Sequence, residues 1–184
     1  MKPTAELSQE HQAILLMISI LGTMADRLEA GEKVEPVHLE EAVDFVRGFA
    51  DKCHHAKEED LLFPALEKAG IPRTGGPLGV MLREHVEGRA LVKAMADSIP
   101  GIRKGDEAAV RLFAESARGY GALLSQHIFK EDNILYPMAD ARLSAAAQDE
   151  LAACFADVEK TVVGEGRHRE FHALLQRLEA LYLH

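Results

Sequence analysis

The sequence predicts an all-α protein, an antiparallel up-and-down four-helix bundle followed by two further C-terminal helices. Three observations carry this. Apolar residues recur at spacings of three and four over long stretches, no stretch alternates with period two, and short Gly- and Pro-containing connections separate the stretches. At 184 residues, one core would bury about 70% of the surface the unfolded chain exposes. The length therefore suits one domain over residues 1–184, with the bundle over about 5–140 and a helical extension over about 141–184.

Each helix has its own signature. Leu7, His11, Ile14, Ile18, Leu21, Ala25 and Leu28 form one stripe of a first helix that ends near Gly31. Pro36 suits a first helical turn, and Val43, Val46, Ala50, His54, Glu58, Leu61 and Ala65 continue on one face of a second helix to about Ala69. Gly70 to Pro77 reads as a linker. The third helix carries Met81, His85, Gly88, Val92 and Met95 and is predicted to stop before Pro100. The fourth starts near Asp106 and carries Phe113, Tyr120, Leu124, His127, Glu131 and Leu135. Two more follow, one capped by Ser144 and one running from Gly166 to Leu183, with a turn at Gly164 to Gly166.

Composition narrows the function classes. A net charge of -9 argues against DNA or anionic lipid as a partner, and 5% aromatic residues without Trp argue against a stacking platform for single strands. Cys53 and Cys154 form no CxxC pattern, so neither a disulfide framework nor a thiolate zinc site is expected, and a reducing cytoplasm fits. The apolar run from Ala13 to Met24 follows Glu6, Glu10 and His11 rather than a positive region and is too short to span a bilayer, so neither export nor anchoring is expected.

The second half of the bundle repeats the first. "HHAKEEDLLFP" at His54 to Pro64 overlays "HIFKEDNILYP" at His127 to Pro137 with a shift of 73 residues. Lys57 and Lys130, Glu58 and Glu131, Glu59 and Asp132, Leu62 and Leu135, Phe63 and Tyr136, and both prolines coincide; upstream, Glu10-His11 matches Glu84-His85. Two helical hairpins related by an approximate two-fold axis follow.

Residues four apart share a helix face, so His54 with Glu58 and His127 with Glu131 are preset pairs of ligand side chains. His11 and His85 add one imidazole from each remaining helix, at nearly equal distances of 43 and 42 residues from His54 and His127. A single His on an apolar stripe is usually a satisfied core residue. Two His-x-x-x-Glu pairs repeated in register are not explained that way, because buried carboxylates need cations. Four imidazoles and two carboxylates exceed one ion's needs, whereas two ions bridged by the carboxylates use them all. Mixed nitrogen and oxygen donors suit iron, with manganese or zinc as rivals.

A lone His, then HxxxE followed by LFP, a second lone His, then HxxxE followed by LYP resembles the hemerythrin-like, HHE cation-binding family over roughly residues 5–140. The resemblance implies a four-helix bundle around a non-haem di-iron centre, its two ions bridged by the glutamates and a solvent-derived oxo or hydroxo group. The ligands it implies are His11, His54, Glu58, His85, His127 and Glu131. Oxygen-carrying hemerythrins place a second His one turn from the lone one on the third helix, where this chain has Met81 and Arg89. An open coordination position follows, which favours binding, sensing or reaction with O2, NO or peroxide over reversible oxygen carriage. The alternatives are a di-iron enzyme, for peroxide or dioxygen reduction or for iron-sulfur cluster repair, and a metal-dependent regulatory module with a protein partner at the C-terminal helices. The family's repair proteins carry a cysteine-bearing N-terminal region that this sequence does not show, which weighs against repair.

Several residues stand apart from the repeat. His55 has Ile128 as its counterpart and lies about 100° around an α-helix from His54, so it would supply the missing imidazole only by bending in from the neighbouring face, and whether it joins the site stays open in the sequence. Lys57, Glu59 and Asp60 are expected to face water, and Leu61, Leu62 and Phe63 to seal the floor of the site. Tyr120 shares the His127 stripe, as a core residue or a hydrogen-bond donor near the metals, and Gly88 offers room beside His85. Pro64 and Pro137 should bend or weaken both motif helices. Glu35 with His38, Glu165 with His168, and His168 with His172 have chelating spacings but lie outside the repeat; Cys53 should face a neighbouring helix.

Overall fold

The computed structural model describes residues 1–158, 160–161 and 165–184. The chain forms α1 (Pro3–Glu29), α2 (Pro36–Phe45), a π-helical segment (Val46–His55), a second π segment (Glu58–Leu62), α3 (Phe63–Lys68), α4 (Pro77–Ile102), α5 (Glu107–Lys130), a third π segment (Glu131–Leu135), α6 (Tyr136–Arg142), α7 (Ala145–Val158) and α8 (Glu165–Tyr182). No strand occurs among the described residues. Residues 36–68 form one rod with two π interruptions, and residues 107–142 form another with one. Together with α1 and α4 they make the four-helix bundle; α5 packs against α1 and α4, while α8 lies against α1 and α2.

Local chemistry sets the boundaries. Pro36 and Pro77 open their helices where an N–H has no intrahelical partner. The Asp106 carboxylate caps α5 by accepting from the Ala108 N–H at 2.9 Å. At the end of α3, Gly70 takes φ 89°, the Ile71 N–H reaches back to Leu66 O at 3.0 Å, and Leu66 and Ile71 are both buried. Pro100 corrects an expectation, since α4 runs through it to Ile102. The exposed ring sits in the last turn, where little helix remains to be disrupted, and the Arg103 N–H resumes the ladder to Ile99 O.

Pro64 and Pro137 act by widening rather than kinking the helices. Each follows a π segment that begins on the motif glutamate, and the N–H before each proline bonds five residues back, Phe63 to Glu58 O and Tyr136 to Glu131 O. The extra residue per turn relieves the clash between the proline ring and the preceding turn. Both copies do this in the same register.

The core is split into two apolar clusters, and on every rod the polar motif residues fall between them. One cluster includes Ile14, Phe49, Val92 and Leu124; the other includes Leu7, Leu62, Met81 and Leu135. His11, His54, Glu58, His85, His127 and Glu131 thus lie in a polar layer with apolar packing on both sides. Leu62 and Phe63 close one side as expected, while Leu61 is partly exposed. No helix among the described residues is long and apolar enough to cross a membrane.

Candidate metal centre

All six motif side chains are buried in one layer, with donor atoms converging in two groups. His11, His54 and Glu131 form one; His55, Glu58, His85 and His127 form the other, and within each group the donor atoms lie within 4.8 Å of one another. His11 Nε2 and His54 Nε2 are 3.2 Å apart, and His85 Nε2 and His127 Nε2 are 3.1 Å apart. Glu131 Oε1 is 2.9 Å from His127 Nε2, and its Oε2 is 3.2 Å from His11 Nε2. Glu58 Oε2 is 3.3 Å from His85 Nε2 and 3.9 Å from His54 Nε2. Each glutamate therefore reaches imidazoles of both hairpins.

The outward ring nitrogens explain why the inner ones converge. His54 Nδ1 donates to Glu10 at 2.8 Å, His127 Nδ1 to Glu84 at 2.8 Å, His85 Nδ1 to Glu59 at 2.6 Å and His11 Nδ1 to Asp132 at 3.0 Å. A carboxylate only accepts, so each of these Nδ1 atoms carries the proton and Nε2 is left facing inward, the arrangement that orients a metal-binding imidazole. Two lysines hold the outer carboxylates: Lys57 reaches Glu10 at 2.6 Å and Glu6 at 2.8 Å, and Lys130 reaches Glu84.

These partners revise the sequence reading. Lys57 is fully buried and Glu59 is largely enclosed, against the expectation that both face water; Asp60 is exposed as expected. Glu10 matches Glu84, Glu59 matches Asp132, and Lys57 matches Lys130, so the repeat held the signal for this whole outer shell. Helical stripes hid it, because these side chains reach across to the neighbouring hairpin instead of lying on the inward face of their own helix.

The approximate two-fold symmetry breaks at two places. His55 is buried although an α-helical rotation would put it on the neighbouring face; the π segment ending on it adds a residue to the turn and brings its ring into the second donor group. It stacks on His85 with centroids 4.0 Å apart and planes at 19°. Its counterpart Ile128 lies in a rod that stays α-helical through Lys130. Second, the Tyr136 hydroxyl donates to Glu58 Oε1 at 2.8 Å and lies 3.4 Å from His11 Nε2. Its counterpart Phe63 has no hydroxyl for Glu131.

Charge in the layer follows from burial and from these pairs. Burial alone would lower the His11, His85 and His127 pKa values, but Glu131 outweighs it at His11 and His127, which are raised. The nearby Glu58 and Glu59 carboxylates outweigh it at His85, which is pushed up to about 9. Burial wins at His54, lowered to about 3, and drives His55 well below the usual imidazole range. Burial opposes ionisation of Glu131, yet His127 and His11 hold it well below the usual carboxylate range. The layer draws positive charge inward.

The donor set fits a bound cation on a direct observation. Glu58 Oε2 and both oxygens of Glu131 are buried without a hydrogen bond, even though imidazole nitrogens approach them closely. Buried carboxylate oxygens left this way are costly unless a cation meets them.

Other candidates lie elsewhere. Tyr120 is buried beside a cavity and in neither donor group, and Gly88 lines the same cavity. Cys53 is buried in the apolar core. His38 Nδ1 bonds the Tyr182 hydroxyl at 2.7 Å, tying α2 to α8. His172 packs edge-on to Phe49. Gly164 of the expected turn, and the side chains of Glu165 and His168, lie outside the described residues.

The profile of the Hemerythrin HHE cation binding domain matches residues 2–139. An uncharacterized protein of Mycobacterium tuberculosis is 26% identical over 160 residues, which is 87% of this chain and 62% of that protein. The iron-sulfur cluster repair protein YtfE of Edwardsiella ictaluri is 26% identical over 134 residues, 71% of this chain and 60% of its own length. YtfE of Escherichia coli O81 is 27% identical over 132 residues, 70% and 59% respectively. The chain thus spans about three-fifths of the length of these curated relatives.

Proposed function

Since this chain belongs to the hemerythrin HHE cation-binding family, we propose that it holds two iron ions on His11, His54, Glu58, His85, His127 and Glu131 and uses them to bind, sense or react with O2, NO or peroxide. One observation supports this above the others: four inward Nε2 atoms, each fixed by an outward Nδ1–carboxylate bond, surround carboxylate oxygens that have no hydrogen bond. Bound iron supplies the Lewis acidity and the redox electrons. Glu58 and Glu131 span the two hairpins and would bridge the ions. Glu10, Glu84, Glu59 and Asp132 orient the imidazoles and raise their basicity. The Tyr136 hydroxyl holds Glu58 through Oε1 and leaves Oε2 free to face an ion. Manganese and zinc satisfy the same donor types, so metal analysis of the natively purified protein belongs with any functional assay.

Anaerobic loading with ferrous iron followed by air tests the reading. Two irons per chain and a charge-transfer absorption are expected; fewer than two irons with no such absorption would sink it.

A second reading, an enzyme consuming peroxide or serving iron-sulfur cluster repair, is favoured by the similarity to the two YtfE proteins. Steady peroxide consumption that disappears in Glu58→Ala would favour it. The C-terminal helices form part of the same domain in this reading. Lys57, which holds the outer carboxylate Glu10, also lies 5.6 Å from the centre of the Phe155 ring on α7, which gives metal occupancy a physical path to α7 and to a protein partner there.

A further inference from the structure

His55 differs from the other imidazoles of the layer. Each of the four assigned to metal is held twice, through Nδ1 to a carboxylate at 2.6 to 3.0 Å and through Nε2 beside a second Nε2. His55 has neither restraint. Both its ring nitrogens are buried without a hydrogen bond, and the Asp51 carboxylate stands 3.5 Å from Nδ1, too long for a good one. Its ring instead walls a cavity of about 210 Å³ between the first π segment and α4. Val46, Gly88, Val92 and Tyr120 line that cavity together with Arg47, Asp51 and Arg89, and Arg89 pairs with Asp51 and Glu59. The other side of His55 meets the centre: its donor atom lies within 4.8 Å of those of Glu58, His85 and His127.

We propose that this cavity admits and holds the small reactant, and that His55 hydrogen-bonds it beside His85 and His127 without serving as a metal ligand. The inference rests on the metal reading above. The lining mixes Val46, Val92 and Tyr120 with the charged Arg47, Asp51 and Arg89, and the two ring nitrogens of His55, buried without a partner, offer hydrogen bonding to a small molecule with oxygen atoms such as hydrogen peroxide. The volume is several times a water's share of liquid, about 30 Å³, and so leaves room for a molecule the size of hydrogen peroxide.

The test uses the iron-loaded full chain. Val92→Phe and Val46→Phe fill the cavity from opposite walls, and each is expected to slow nitric oxide association with the ferrous protein tenfold or more while leaving iron per chain unchanged. His55→Leu should keep wild-type iron content and cut the hydrogen peroxide reaction rate by about tenfold, with His55→Gln restoring part of it. Unchanged association in both phenylalanine variants would overturn the entry route. Loss of one iron in both His55 variants would overturn the assignment by making His55 a ligand. A wild-type chain that takes up no iron would fail the metal reading itself, a result distinct from either.

Discussion

The two copies of the outer shell provide an internal control on what burial does to an ion pair. Lys57 and Lys130 occupy matching positions and hold matching carboxylates, Glu10 and Glu84, which in turn hold His54 and His127. Their surroundings differ: the Lys57 side chain is 0% exposed and its partner Glu10 8%, whereas Lys130 is 31% exposed and Glu84 17%. Lys57→Met removes the cation but leaves the Glu10 carboxylate enclosed. Breaking a buried pair from one side costs about 3–5 kcal/mol, because the remaining charge is left desolvated. Lys130→Met strips a pair that water partly reaches, and the cost is expected at about 1 kcal/mol or less. For a chain of this size, each kcal/mol moves Tm by about 2–4 °C, so Lys57→Met should lower Tm by about 6 to 20 °C and Lys130→Met by at most about 4 °C. Thermal and urea unfolding of both variants, each metal-free, measure this directly. Equal losses in the two variants would refute the reasoning, since Lys57 is the more buried of the two and also holds Glu6 and faces the Phe155 ring.

Three further outcomes are expected. Glu131→Ala should reduce iron binding from two ions per chain to one or none, by metal analysis after anaerobic loading, because Glu131 reaches both His11 and His127. In the metal-free protein, His85 protonated beside Glu58 and Glu59 contributes stability that is complete below pH 6.5 and is lost as pH rises through about 9; a metal must displace that proton, so apo Tm should fall, and chelator competition should show metal affinity rising, over this same interval. At Gly48 an added Cβ would stand 2.4 Å from Phe171 Cζ, and Phe171 is packed against Phe45 and Phe49, so Gly48→Ala should cost about 1–3 kcal/mol and make α8 more sensitive to protease.

How much of this was legible in the sequence depends on how locally each feature is specified. The six motif residues could be found because a helix fixes what lies four residues apart, and because the repeat showed the same pair twice. The prolines announced a disturbance in the motif helices, though not its form: choosing a π widening over a kink depends on how the Glu58 and Glu131 turns pack in the layer. Tyr136 was visible as the counterpart of Phe63, but its hydroxyl acquires a role only because Glu58 of the other hairpin lies 2.8 Å away.

The sequence by itself determined the all-α class, the two-copy architecture and the inward placement of the six motif side chains, since periodicity and spacing follow from backbone geometry. The tertiary structure alone decided which carboxylates orient which imidazoles, that Lys57 is enclosed while Lys130 is partly wet, and that His55 turns inward beside a cavity. Those facts depend on contacts between hairpins and on a one-residue change in helical winding. Neither is written in the spacing of residues along one helix; both are set by how the four rods close around a layer of buried charge.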